Sequence, residues 1–213
     1  LSGIFANYIR TDSNSLGITV DNSSTVNDFS VGHVTPVSIS PNQILNGSFK
    51  IYRGTEYSNL QLNNTGTLAA NVTISGNGGT VEAQKSMTFT GSLQQVDQHD
   101  GFELIIASGE TMTYSGSEFG IGEHTFKLSG GGTLNNANNL ILNDPASLLA
   151  ISESTKISHL LVSASNTNGG LTISSSVSSS TGNLVENLSL SDSFYVSSDV
   201  AWAVDNITAD ATL

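Results

Sequence analysis

A four-residue phrase, Asn-Leu-x-Leu, recurs along this chain with no reactive landmark attached to it. It stands at Asn59-Leu60-Gln61-Leu62, Asn139-Leu140-Ile141-Leu142 and Asn187-Leu188-Ser189-Leu190, with a variant at His159-Leu160-Leu161-Val162. Apolar residues alternating with polar ones over so short a span read as a strand with one buried face. Similar pieces lie between the copies, at Phe49 to Ile51, Val72 to Ile74, Met87 to Phe89, Leu104 to Ile106, Phe126 to Leu128 and Leu171 to Ile173. Turns such as Asn63-Asn64-Thr65-Gly66 and Gly76-Asn77-Gly78-Gly79 separate them, because left-handed backbone positions favour Asn and Gly. Helix signals are nearly absent: Val81 to Ser86 and Ala146 to Ser152 are the two stretches read as able to hold a helical turn.

The spacing of the phrase points to an all-β coil. Leu140 is followed by Leu160 after 20 residues and by Leu188 after a further 28, while steps of 12 separate Leu60 from Val72 and Leu128 from Leu140. Such distances fit a parallel β-solenoid of roughly 20–25 residues per turn with loops of variable length. The alternative is an antiparallel β-sandwich, which also places strands every ~8–12 residues but gives no reason for one string to recur. In a solenoid each inward Leu, Val or Ile stacks on its counterpart about 4.8 Å away. Asn59, Asn139 and Asn187 are then expected at one corner, and Asn63 and Asn143 at the next, where Ser163 and Ser191 share the offset. Stacked Asn side chains can form hydrogen-bonded ladders; equally, Asn can begin and end strands through turn geometry alone. Residues 1–45, which hold Pro36 and Pro41, break the rhythm and read as an irregular N-terminal cap or first layer. Residues 46–213 read as the solenoid, with Trp202 in a C-terminal capping segment or on a strand edge that pairs with a neighbour.

Charge narrows the partners. Only 11% of residues are charged, against the usual quarter, and Ser, Thr, Asn and Gly fill the gap. Six Lys and Arg against 18 Asp and Glu give a net charge of −12. The cations Arg10, Lys50, Arg53, Lys85, Lys127 and Lys156 are scattered, so the clustering that nucleic acid or anionic membrane requires is missing. Three prolines and few charges argue against disorder. The absence of Cys removes disulfides, thiolate catalysis and Cys-based zinc sites. No apolar run approaches the ~20 residues of a membrane-spanning helix. A chain that starts at Leu1 with no signal-like segment reads as a processed product or an excised piece.

Chemistry is sparse. His33, His99, His124 and His159 are the possible partners for a nucleophilic hydroxyl, but no Gly-x-Ser-x-Gly elbow occurs. Asp97, His99, Asp100 and Glu103 gather in one stretch that reads as a solvated loop or, alternatively, an oxygen-rich calcium loop. Glu103, Glu110, Glu118 and Glu123 are dense enough to suggest a carbohydrate-active enzyme with paired carboxylates, with Tyr114, Phe119 and Phe126 as the sole aromatic cluster that could stack on a sugar. Sequons at Asn22, Asn46, Asn63, Asn71, Asn187 and Asn206 are no more than composition supplies. No catalytic, metal-binding or cofactor-binding residue is assigned, and no cofactor is expected.

One stretch carries a family likeness. Phe126-Lys127-Leu128-Ser129-Gly130-Gly131-Gly132-Thr133-Leu134, followed by Asn139 to Leu142, resembles the repeats of bacterial autotransporter passenger domains and haemagglutinin-like secreted adhesins. The resemblance covers residues 126–148 as a motif and about 45–200 as texture, and the drifting repeat length departs from it. It implies a right-handed parallel β-solenoid on a cell surface or secreted, and transfers no functional residue. The expectation is therefore an extracellular structural or adhesive module acting by shape and multivalent contact, with surface glycans or self-association as partners. The alternatives are a β-helical carbohydrate-active enzyme, and a filament subunit joined through its terminal strands.

Overall fold

A computed structural model describes residues 2–11, 17–53, 59–63, 65–76, 79–95, 102–121, 125–144, 146–163, 170–174, 183–191, 196–198 and 202–209. Among them every regular element is a strand. In chain order these are β1 (Phe5–Thr11), β2 (Ile18–Val20), β3 (Ser24–Val31), β4 (Val34–Ile39), β5 (Ile44–Arg53), β6 (Asn59–Leu62) and β7 (Thr67–Gly76). Next come β8 (Thr80–Ala83), β9 (Met87–Phe89), β10 (Leu93–Gln95), β11 (Phe102–Ile106), β12 (Thr111–Tyr114), β13 (Phe119–Gly120) and β14 (Thr125–Ser129). The last eight are β15 (Thr133–Asn136), β16 (Leu140–Leu142), β17 (Leu148–Ile151), β18 (Lys156–Val162), β19 (Gly170–Ile173), β20 (Asn183–Leu190), β21 (Val196–Ser198) and β22 (Ala203–Ala209).

The chain shuttles between two walls. A 13-stranded sheet takes β1, β3, β5, β7, then the half-strands β9 and β10, β12 and β13, β15 and β16, and finally β18, β20 and β22. A nine-stranded sheet takes β2, β4, β6, β8, β11, β14, β17, β19 and β21. Every strand pairing is parallel, and each joins a strand to the one a full circuit later: Phe5 to Thr25, Phe49 to Val72, Leu160 to Leu188. The fold is a parallel β-solenoid. The sandwich alternative is excluded, since the sole antiparallel contact among the described residues is a single bridge between Ala107 and Gly131.

Alternation in sequence becomes columns in space. In the second wall Leu60, Val81, Leu104, Leu128, Ile151 and Ile173 stand in register, one per circuit, all buried. In the first wall Phe29, Phe49, Val72 and Leu93 form one run, and Leu140, Leu160 and Leu188 another. Burial of each such side chain contributes about 1.5–3 kcal/mol. Aromatic rings reinforce the stack, with Phe29 and Phe49 centroids 4.5 Å apart and Phe102 and Phe126 5.1 Å apart.

Several expectations need correcting. The copy at Asn59 lies in the second wall, whereas those at Leu140, Leu160 and Leu188 share the first. Asn59 is a buried strand residue that donates to Glu82 at 2.9 Å, not a corner. Asn63 likewise belongs to the wrong wall to stack with Asn143, although Asn143, Ser163 and Ser191 do follow one another after β16, β18 and β20. The two stretches read as possible helix are strands β8 and β17. Asn187 does take part in an Asn pair, accepting from Asn206 at 3.1 Å, and Asn27 donates to Asn7 at 3.2 Å. Residues 1–45 supply β1–β4 and the first residues of β5, and the strands β1–β4 enter the same two sheets in parallel register. Trp202 is half-buried and packs against the core.

Candidate functional site: a fork in the first wall

Among the described residues the ladders of the first wall come apart at one place; the register shifts at Val26–Phe29 and Asn183–Val185 leave theirs joined. β9 and β12 pair normally, Phe89 opposite Tyr114, but the half-strands that follow do not meet. β10 pairs back onto β7, and β13 pairs forward onto β16. No ladder joins β10 to β13 among the described residues. A cleft of about 390 Å³ opens between them, lined by Ser92, Leu93 and Gln94 on one lip and Ser117, Glu118, Phe119 and Gly120 on the other.

The split coincides with one extra residue. Phe89-Thr90-Gly91-Ser92-Leu93 carries its chain from one buried side chain to the next in four steps; Tyr114-Ser115-Gly116-Ser117-Glu118-Phe119 takes five. Leu68 to Val72 below and Asn136 to Leu140 above also take four. Counted from the matched glycines Gly91 and Gly116, the surplus falls at Glu118, which is exposed. Just before the split, the coils approach closely: a Cβ on Gly91 would lie 1.7 Å from the Ala70 carbonyl oxygen, and one on Gly116 1.9 Å from that of Gly91. Gly47 repeats the arrangement over Val26, at φ +143°. Only glycine fits such an approach.

Tyr114 occupies the crotch of the fork. Its ring is buried against Phe89, centroids 5.2 Å apart, and its hydroxyl donates to the Ser117 carbonyl at 2.9 Å. The Leu93 backbone N–H lies within hydrogen-bonding reach of the Tyr114 hydroxyl oxygen. One hydroxyl thus stands where a direct N–H to carbonyl bond would otherwise close the sheet. Burial pushes the phenol above its ordinary pKa, so it remains the neutral donor that this bridge needs.

Farther out, the lips present backbone groups. Val72 N–H bonds Ser92 on one side, and Phe119 and Ile121 N–H bond Asn139 and Ile141 on the other. In a parallel ladder neighbouring residues address opposite sides, so the Leu93 carbonyl and the Gly120 N–H and carbonyl face the cleft. Glu118, Gln94 and Ser117 are exposed beside them.

The nominated acids do not converge. Glu103 sits on β11 in the second wall, accepting from Ser129 at 2.9 Å. Glu110 lies at the turn into β12, where it accepts from the Ser86 hydroxyl and N–H at 2.8 and 2.7 Å, with Lys85 at 3.6 Å. Those Ser86 bonds, helped by Lys85, hold its carboxyl below the ordinary range. Glu118 alone lines the cleft. Glu123, Asp97, His99, Asp100 and His124 lie outside the described residues. The aromatic trio expected to stack on sugar is interior: Tyr114, Phe119 and Phe126 are all buried. His159 uses its backbone, not its ring, to bind Asn136, and among the described residues no group of His, Asp and Glu could hold a metal ion.

In the sequence Glu118 counts only as one acid among several, and Asn136 draws no notice. Glu118 as an insertion was legible by laying Phe89–Leu93 over Tyr114–Phe119. Asn136 was not: buried, it donates to the Asn138 and His159 carbonyls and accepts from the Ser158 and His159 N–H groups. It uses its full amide capacity where the next coil shortens, Ile157 to Leu160 replacing Leu134 to Leu140. No protein-family profile, curated protein or solved structure matches this chain.

Proposed function

We propose that this chain is an extracellular structural or adhesive module, secreted or held at a cell surface, that works through its shape and through weak contacts repeated along the coil. The observation that carries the reading is how its outer polar groups are used. They tie coil to coil: the Gln61 amide, with that of buried Asn59 beside it, donates to Glu82 on the next coil, at 3.0 and 2.9 Å, and Gln84 steadies the same carboxylate from its own coil at 3.1 Å. The corner pairs Gln43 with Ser23 and Glu153 with Gly130 do the same. Side chains spent on holding neighbouring coils together support a surface whose product is form. The net charge of −12 keeps such surfaces apart in solution.

The test is adhesion under flow. Beads coated with the chain at rising density should be retained on mucin, matrix protein or glass more steeply than in proportion to coating, as multivalent attachment requires. Retention no better than that of albumin-coated beads on every surface contradicts the reading. Release of sugar from a polysaccharide panel, abolished by Glu103→Gln or Glu110→Gln, would replace it with catalysis.

A further inference from the structure

We propose that the fork between β10 and β13 is a binding cleft for a single neutral saccharide unit. The inference gives the adhesive reading a ligand class and a place, and so rests on that reading for its biological meaning, though not for its test.

The molecule itself shows what satisfies this gap. At the crotch, a hydroxyl lies within hydrogen-bonding reach of an N–H on one lip and donates to a carbonyl on the other. Only a group that both donates and accepts can make that bridge, and among side chains the hydroxyl is the compact one. Moving outward, the lips continue to offer the same complementary groups: the Leu93 carbonyl on β10, and the Gly120 N–H and carbonyl on β13. A sugar carries a row of such hydroxyls. Gln94, Ser117 and Glu118 add side-chain partners of the kind that fix a polyol's orientation, while the Ser92 hydroxyl already donates to Asn71 at 2.9 Å, and the cleft is within the size range of small-molecule sites.

Two competitors fit less well. An extended peptide needs two ladder spacings, about 9.6 Å, between the strands it joins. At Tyr114 the lips are held two hydrogen bonds apart, about 6 Å between backbone N and O, so a strand cannot enter at the crotch. An acidic sugar would face Glu118 and the field of a strongly anionic protein.

Titration of the full isotope-labelled chain, followed by amide NMR, tests this with neutral hexoses, N-acetylhexosamines, uronates and an extended tetrapeptide as probes. At least one neutral sugar should shift the amides of Leu93, Gln94 and Gly120, with a Kd of about 1 mM or below. Glu118→Ala should weaken it by about five-fold or more. Deleting Glu118, which closes the fork, should abolish it, and Glu186→Gln on β20 should leave it unchanged. The proposal is overturned if no neutral sugar moves those amides, if only uronates or the peptide do, or if both Glu118 variants bind as the parent does. Beads that adhere while the cleft amides stay still would defeat the cleft and spare the adhesive reading. Sugar binding without bead retention would do the reverse.

Discussion

β5 on β7 and β10 beside β13 are the same construction with opposite outcomes. The first pair runs in unbroken register over ten residues, from Ile44 opposite Thr67 to Arg53 opposite Gly76. The second pair, two coils on, does not join at all. Both regions keep their inward columns, and both carry a glycine pressed against the carbonyl of the coil below, at Gly47 and Gly116. They differ at Glu118, where the arc is one residue longer; the surplus in β3 between Val26 and Phe29 is instead taken up as a bulge with the ladder to β5 intact. At the fork the ladder opens while Phe119 still reaches Phe126, their centroids 5.5 Å apart. Side-chain burial outranks a few backbone bonds here, as expected when each net hydrogen bond contributes about 1 kcal/mol and a buried Phe several times that.

The comparison can be attacked first through its cores. Phe49→Ala in the continuous region should cost about 5 kcal/mol and Phe119→Ala in the fork nearer 3, because solvent can enter the cleft and relieve the second cavity. Urea unfolding measures both, and equal losses would mean that the fork is as rigid as the ladder. Next is Gly116→Ala, expected to cost about 3 kcal/mol through overpacking, since the new methyl collides with backbone that cannot yield. A neutral result there would deny the close approach of the coils.

Smaller effects address the bridge. Tyr114→Phe leaves the Leu93 N–H and the Ser117 carbonyl without the shared hydroxyl, and should cost about 1–2 kcal/mol. No loss would show that the hydroxyl is incidental. The least effect concerns Glu110. Its folded pKa lies below the unfolded value, so its contribution is present above the ordinary carboxylate pKa and is lost as pH falls through the folded one. Unfolding midpoints recorded on acidification should therefore fall more steeply for the parent than for Glu110→Gln. Parallel curves would remove the Ser86 staple from the account.

Much of the fold was legible because its signals are local. Leu140, Leu160 and Leu188 share one column as their spacing suggested, and Thr65-Gly66 bends between β6 and β7 where the Asn63 to Gly66 cluster stands. The assignment of walls was not legible. Both sheets bury alternate residues of equally short strands, so Asn59-Leu60-Gln61-Leu62 and Asn139-Leu140-Ile141-Leu142 look alike although they lie on opposite sides of the coil. Val81 to Ser86 seemed helical because propensity ignores the parallel neighbours Leu60 and Leu104 that hold Val81 in a strand. The candidate site was hidden for a different reason. Glu118 drew notice as one acid among several, whereas its consequence comes from being one residue too many, a property of the coil beneath it and not of its own chemistry.

Residue-resolved amide hydrogen exchange tests the central claim most directly, that the first wall opens at Glu118. In the parent chain the ladder amides of β5 and β7 should be strongly protected, with Gly120 exchanging far faster. In the chain lacking Glu118, Gly120 should rise to the protection of its neighbours. Strong protection of Gly120 in the parent, or no change on deletion, would contradict the account.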